Sequence, residues 1–80
     1  MSTKTFALVG GTVKFKCTGN MISLVSAAPN SGFGLETENE HGGQQIEVKF
    51  ESATHKSEIK ASCVGGQVQA NEIKEESESH

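Results

Sequence analysis

Along much of the chain apolar and polar residues alternate one for one, the period of a half-buried β-strand. Within residues 12–18, Val13, Phe15 and Cys17 fall on one face, and Thr12, Lys14, Lys16 and Thr18 on the other. Within residues 57–63, Ile59, Ala61 and Cys63 point one way, and Glu58, Lys60 and Ser62 the other. Residues 45–51 repeat the pattern, with Ile46, Val48 and Phe50 inward and Glu47, Lys49 and Glu51 outward. The segment 21–27 is apolar on both sides, as expected of a central strand. Further strands are predicted over residues 5–9, 35–40 and 67–70, the second carrying Glu36, Glu38 and Glu40 on an exposed face.

Turn signals separate these runs. They are Gly10-Gly11, Gly19-Asn20, the stretch from Ala28 through Pro29 to Gly34, His41-Gly42-Gly43, residues 52–56 and Gly65-Gly66. Seven short strands with turns about every ten residues predict an all-β sandwich or barrel. The strands occupy one module, residues 1–72. Residues 73–80, with Glu75, Glu76 and Glu78, are expected to form an acidic flexible tail.

The two cysteines are the only ones in the chain, and both lie on inward positions of separate strands. This parity predicts a buried Cys17–Cys63 bridge. It would close a loop of about 47 residues, worth roughly 4 kcal/mol by the chain-entropy estimate. For an 80-residue chain with four Phe, no Trp and no Tyr, that is a large share of the ~5–15 kcal/mol of a typical domain. The cysteines fall on the second and sixth predicted strands, the pair bridged in immunoglobulin-type sandwiches. The expected fold is therefore a small immunoglobulin-like β-sandwich of about seven strands with one inter-sheet disulfide. It departs from antibody domains: no Trp packs on the bridge, and Ala61 stands where they carry a Tyr two residues before the second cysteine.

Gly10-Gly11-Thr12-Val13, Cys17-Thr18-Gly19, Ser23-Leu24-Val25-Ser26-Ala27, Pro29 to Phe33, and Cys63-Val64-Gly65-Gly66 together resemble a small two-cysteine β module. That module occurs at the C-terminal end of uncharacterised exported or membrane-anchored actinobacterial proteins. The resemblance spans about residues 5–72. It implies an extracytoplasmic location and a fold, and no activity.

Charge and side-chain chemistry narrow the function. The net charge of −3 resides in residues 72–80, while residues 1–71 carry six Lys and six Glu. There is no Arg, so the dense cationic surface of a nucleic-acid groove is missing. No apolar run reaches the length of a membrane span. The cysteines are far apart and on strands, unlike a redox dithiol at a helix start. His41, His55 and the two cysteines lack the short spacing of a zinc site, and no cofactor is expected. There is no Asp and no G-x-S-x-G elbow, so an enzyme is not expected. The best recognition candidate is the loop Pro29, Asn30, Ser31, Gly32 and Phe33, where Phe33 either caps the core or projects as an anchor. A second route is strand addition at an edge formed by residues 5–9 or 67–70, with Gly10-Gly11 and Gly65-Gly66 as hinges.

The expected function is a non-catalytic extracytoplasmic binding module whose partner is a protein or a cell-envelope component. A structural spacer or capping domain is the first alternative. Met1 to Lys4 lead into a strand without an apolar leader, so two origins fit: part of a longer exported protein, or a cytosolic protein with reduced cysteines. Thiol state separates them. The protein isolated from its source with an acid quench, denatured and alkylated without reductant, is expected to take up no label by intact-mass measurement. Two labels would show the reduced form.

Overall fold

A computed structural model describes residues 2–38 and 43–77. They form seven strands: β1 (Ser2–Leu8), β2 (Gly11–Thr18), β3 (Met21–Pro29), β4 (Gly34–Glu38), β5 (Gln45–Glu51), β6 (His55–Val64) and β7 (Gln67–Ser77). Each strand pairs antiparallel with the next, giving sheet A in the order β1-β2-β3 and sheet B in the order β4-β5-β6-β7. The sheets pack face to face. Val13, Phe15, Cys17 and Ile22 of sheet A meet Ile46, Val48, Phe50, Ile59 and Ala61 of sheet B, all without solvent exposure. These are the inward positions of the alternating runs.

The Cys17–Cys63 bridge joins β2 to β6, hence sheet A to sheet B, with Cα atoms 5.5 Å apart. The expected two-sheet, seven-strand fold and its inter-sheet disulfide are thus present. The connectivity is simpler than in an immunoglobulin domain. Those domains place strands A, B, E and D on one sheet; here each sheet is a run of consecutive strands. Two-residue turns suffice for such a meander, and Gly65 and Gly66, with φ of 59° and 79°, supply the left-handed pair that a type I′ hairpin needs.

Two strands differ from the sequence expectation. The segment 21–27 belongs to an edge strand, not a central one. Its two-sided apolarity comes from a bulge: Lys14 pairs with Ser26 and Phe15 with Leu24, leaving Val25 as the extra residue. Ile22 and Leu24 therefore point inward before the bulge and Ala27 after it, while Met21 and Val25 are exposed. The last strand does not end at Ala70. A second bulge, at Asn71 between the pairs Lys60–Glu72 and Ala61–Ala70, shifts its phase and carries it to Ser77. Residues 73–77 of the expected tail are therefore paired with β6, and β7 is the longest strand at 11 residues. Glu40, His41 and Gly42 lie outside the described residues, as do residues 78–80.

Gly10 and Gly11 are not hinges. Both are buried where β1 turns into β2. A Cβ on Gly10 would stand 2.6 Å from the Phe50 Cβ and 2.9 Å from the Phe33 ring, and one on Gly11 2.6 Å from the Ala28 carbonyl oxygen. The body is elongated, 44 × 18 × 18 Å, and β7 at ~3.3 Å per residue spans most of its length. Ser2 pairs with Cys17 at one end, and Ser77 with His55 at the other.

The close approach at Gly10 generates a prediction. Gly10→Ala must push Phe50 or Phe33 aside and should cost about 2–4 kcal/mol in chemical denaturation. Gly34→Ala, whose Cβ would meet only the Glu51 carbonyl oxygen at 3.8 Å, should change stability by less than about 0.5 kcal/mol. Equal effects at the two sites would contradict the packing described.

Candidate functional site

The densest polar chemistry lies at the end of the sandwich opposite the disulfide. The period-two face of β6 that carries Ile59, Ala61 and Cys63 starts with His55 and Ser57, and Ser57 is completely buried. The bulge at Asn71 brings Glu75 of β7 opposite Ser57, and Ser77 opposite His55. The β1–β2 turn descends onto this group from sheet A. The Gly10 N–H donates to Ser57 Oγ at 2.9 Å, and the Val9 N–H donates to Glu75 Oε2 at 3.0 Å. Ser57 in turn donates its hydroxyl proton to Glu75 Oε1 in a short hydrogen bond. His55 Nε2 lies 2.8 Å from the same carboxylate oxygen, and Nδ1 lies 2.8 Å from Ser77 Oγ. An ionised Glu75 only accepts, so the Nε2–H donates; in the neutral ring Nδ1 then accepts from Ser77.

The loop predicted for recognition is the other half of this arrangement. The Asn30 N–H donates to the Gly10 carbonyl at 2.8 Å, and Asn30 Nδ2 donates to the Val9 carbonyl at 2.9 Å. The Phe33 N–H closes a turn onto the Asn30 carbonyl at 3.0 Å, with Gly32 at φ 87° in the third position, where a type II turn requires it. Phe33 is half-buried against the core and meets the His55 ring edge-on at 6.1 Å. Phe33 therefore caps the sandwich, while Pro29, Ser31 and Gly32 stay exposed. The backbone groups of Val9 and Gly10 are thus held from sheet A by Asn30 and from sheet B by Ser57 and Glu75. This clasp is a second tie between the sheets, six residues along β6 from Cys63.

The chemistry of the clasp follows from its bonding. Burial alone would push the Glu75 carboxyl up, but the hydrogen bonds from Ser57, Val9 and His55, and then the charge of His55, outweigh it and hold the pKa below 4.5. Ser57 resembles a nucleophile only in name. A catalytic serine gives its proton to a base and keeps its oxygen open to substrate. The Ser57 proton goes to a carboxylate and its lone pair to Gly10, with no exposure left. The adjacent cleft, lined by Glu51, Ser52, His55, Lys56, Glu76 and Ser77, measures about 120 Å³, short of the ~300–1,000 Å³ of small-molecule sites. Among the described residues no group of three His, Cys, Asp or Glu side chains is placed to hold a metal ion. His41 lies outside those residues.

Separating the chain into sheets also separates its charge. Sheet A carries Lys4, Lys14 and Lys16 and no carboxylate, the first acidic residue being Glu36. Lys4 lies over the Phe6 ring, 5.5 Å from its centroid. The outer face of sheet B carries seven Glu and four Lys, among them the pairs Lys56–Glu51 at 3.7 Å and Lys60–Glu72 at 3.5 Å. Glu38 sits directly opposite Glu47, itself 9 % exposed. Burial, the hydrogen bond and charge of Glu58, and the charge of Glu38 raise the Glu47 pKa against the pull of Lys49.

No helix of the structure is long and apolar enough to cross a membrane. Compared with family models, with curated proteins and with solved structures, the chain matches none.

The clasp sets an acid limit on stability. A carboxyl whose folded pKa lies below its unfolded value contributes stability that is complete above about pH 4.5 and lost as pH falls through the folded value. Glu75→Gln should therefore lower the melting temperature near neutrality and lose less than the wild type between about pH 6 and pH 3. Parallel melting curves across that range would show that Glu75 does not bear on folding.

Proposed function

We propose that the chain is a non-catalytic interaction module of an exported protein, presenting the broad outer faces of its sheets instead of a pocket. The observation that carries this reading is the use of the reactive side chains: Ser57, His55 and Glu75 are bonded to one another and to the β1–β2 turn. A disulfide that pins the two sheets together supports an oxidising, extracytoplasmic setting. The partner class in this reading is a protein or an envelope component, met through an extended surface. The resemblance of the sequence motifs to a two-cysteine module of exported or membrane-anchored actinobacterial proteins points the same way.

A second reading, a spacer, is favoured by shape. The described chain enters at the disulfide end of a 44 Å body and leaves at the clasp end, so each module would add its full length to a stalk. The two readings share a structure and differ in whether the faces are used.

A fluorophosphonate probe, which labels activated serines, tests the non-catalytic assignment. The folded wild-type chain is expected to remain unlabelled. Labelling at Ser57 that is lost in Ser57→Ala would make the clasp an active site and overturn the reading.

A further inference from the structure

Among the described residues, the register places most exposed charges on one of two opposed faces, Lys4 and Glu75 excepted. On the outer face of sheet A, β2 presents Thr12, Lys14, Lys16 and Thr18. Lys14 lies between Thr5 and Ser26, and Lys16 between Thr3 and Ser23. Each lysine thus stands in a row of hydroxyls. Among the described residues neither has a carboxylate partner. The opposite side of the molecule is the acidic face of sheet B. There Glu36, Lys49, Glu58 and Lys74 form one transverse row, and Glu38, Glu47, Lys60 and Glu72 the next. The second row opens with two adjacent like charges, a destabilising pair within a single molecule.

We propose that the chain associates with a second copy of itself through these two faces, Lys14 and Lys16 of one copy lying against Glu38 and Glu58 of the next. The proposal deepens the reading as an interaction module and rests on it. Three observations favour another copy over a different partner. The faces are opposite in sign. Both are open sheet surfaces, of three and four strands, with strands ~4.8 Å apart and rows ~7 Å apart along each strand. Glu38 on β4 and Glu58 on β6 lie two strands and one row apart, ~12 Å, and the long stems of Lys14 and Lys16, whose Cα atoms are ~7 Å apart, splay to reach both. Because the surfaces differ, the contact is heterologous, and it repeats: each copy that offers its basic face leaves its acidic face free. Elongated bodies would then lie side by side.

Size sets the strength. Three strands by about seven residues cover roughly 14 × 23 Å, well under the ~800 Å² per partner of a standard interface. Association is therefore weak, half-formed at about 0.1–1 mM protein, and carried by charge. It should be favoured at about 10 mM ionic strength, where the Debye length is ~30 Å, and suppressed at 150 mM, where it is ~8 Å. In an array, many weak contacts add through effective concentration.

Sedimentation velocity of the full chain over that concentration range tests this, with two neutralised variants. Lys14→Thr with Lys16→Thr removes the basic face, and Glu38→Gln with Glu58→Gln weakens the acidic one. The wild type is expected to sediment faster with concentration at low salt only. Each variant alone should stay monomeric, and the mixture should form a one-to-one dimer that grows no further. A wild type that remains monomeric at low salt overturns the proposal, independently of how the variants fold. So does a variant that self-associates as the wild type does. A monomer whose Lys14 and Lys16 amide resonances shift on adding an inorganic polyphosphate also overturns it. That result would assign the face to an anionic polymer and leave the interaction-module reading intact. Serine labelling, by contrast, would remove that reading without bearing on self-association.

Discussion

Two sheets can share a core only where their backbones are allowed to come together, and in this chain that place is Gly10. Its Cα faces the Phe50 side chain and the Phe33 ring so closely that no Cβ fits. The same contact brings the Gly10 amide onto Ser57 and the Val9 amide onto Glu75. Because a buried amide without a partner costs about 1–3 kcal/mol, the Gly10 amide needs the Ser57 hydroxyl in position. Glu75, which takes the Ser57 hydroxyl proton and so turns its lone pair to Gly10, is in position only because β7 continues past its bulge. Backbone approach, the buried hydroxyl and the length of the last strand are therefore one constraint.

That constraint gives the sandwich two ties of different chemistry. At one end the Cys17–Cys63 bridge joins β2 to β6 covalently. At the other the clasp joins the β1–β2 turn to β6 and β7 through hydrogen bonds and a carboxylate. Between them lie two phenylalanines and a set of aliphatic side chains, a small core for a body 44 Å long. The bridge limits the unfolded chain and is indifferent to pH. The clasp acts in the folded state and weakens when Glu75 is protonated. Fixing the sheets at both ends leaves their outer faces as rigid platforms, which suits a module that acts through surfaces.

Much of this was legible in the pattern of the chain. The inward rows Val13-Phe15-Cys17, Ile46-Val48-Phe50 and Ile59-Ala61-Cys63 need only period two, and they place the disulfide between sheets without further information. What period two does not show is where the phase breaks. The bulges at Val25 and Asn71 each insert one residue, so β3 read as a central strand and residues 73–77 as a tail. Glu75 was hidden by the second bulge, since its inward direction appears only after the shift. Ser57 carried a signal: a polar residue heading an otherwise apolar inward row needs a buried partner. Phe33 was open to two readings, and the Asn30 contacts with the β1–β2 turn fix it as a cap. The opposed charges of the two faces were present in the sequence as a lysine-only first third, but became a surface property only once topology put that third on one sheet.

The central claim is that the β1–β2 turn is locked to sheet B as firmly as the core strands are locked to each other. Native-state hydrogen exchange at the Gly10 amide measures this directly, because its acceptor is a side chain of the other sheet. The account predicts that Gly10 exchanges with the same free energy as core amides such as that of Val48, through global unfolding. Exchange at the rate of an open turn, with the core amides still protected, would contradict it.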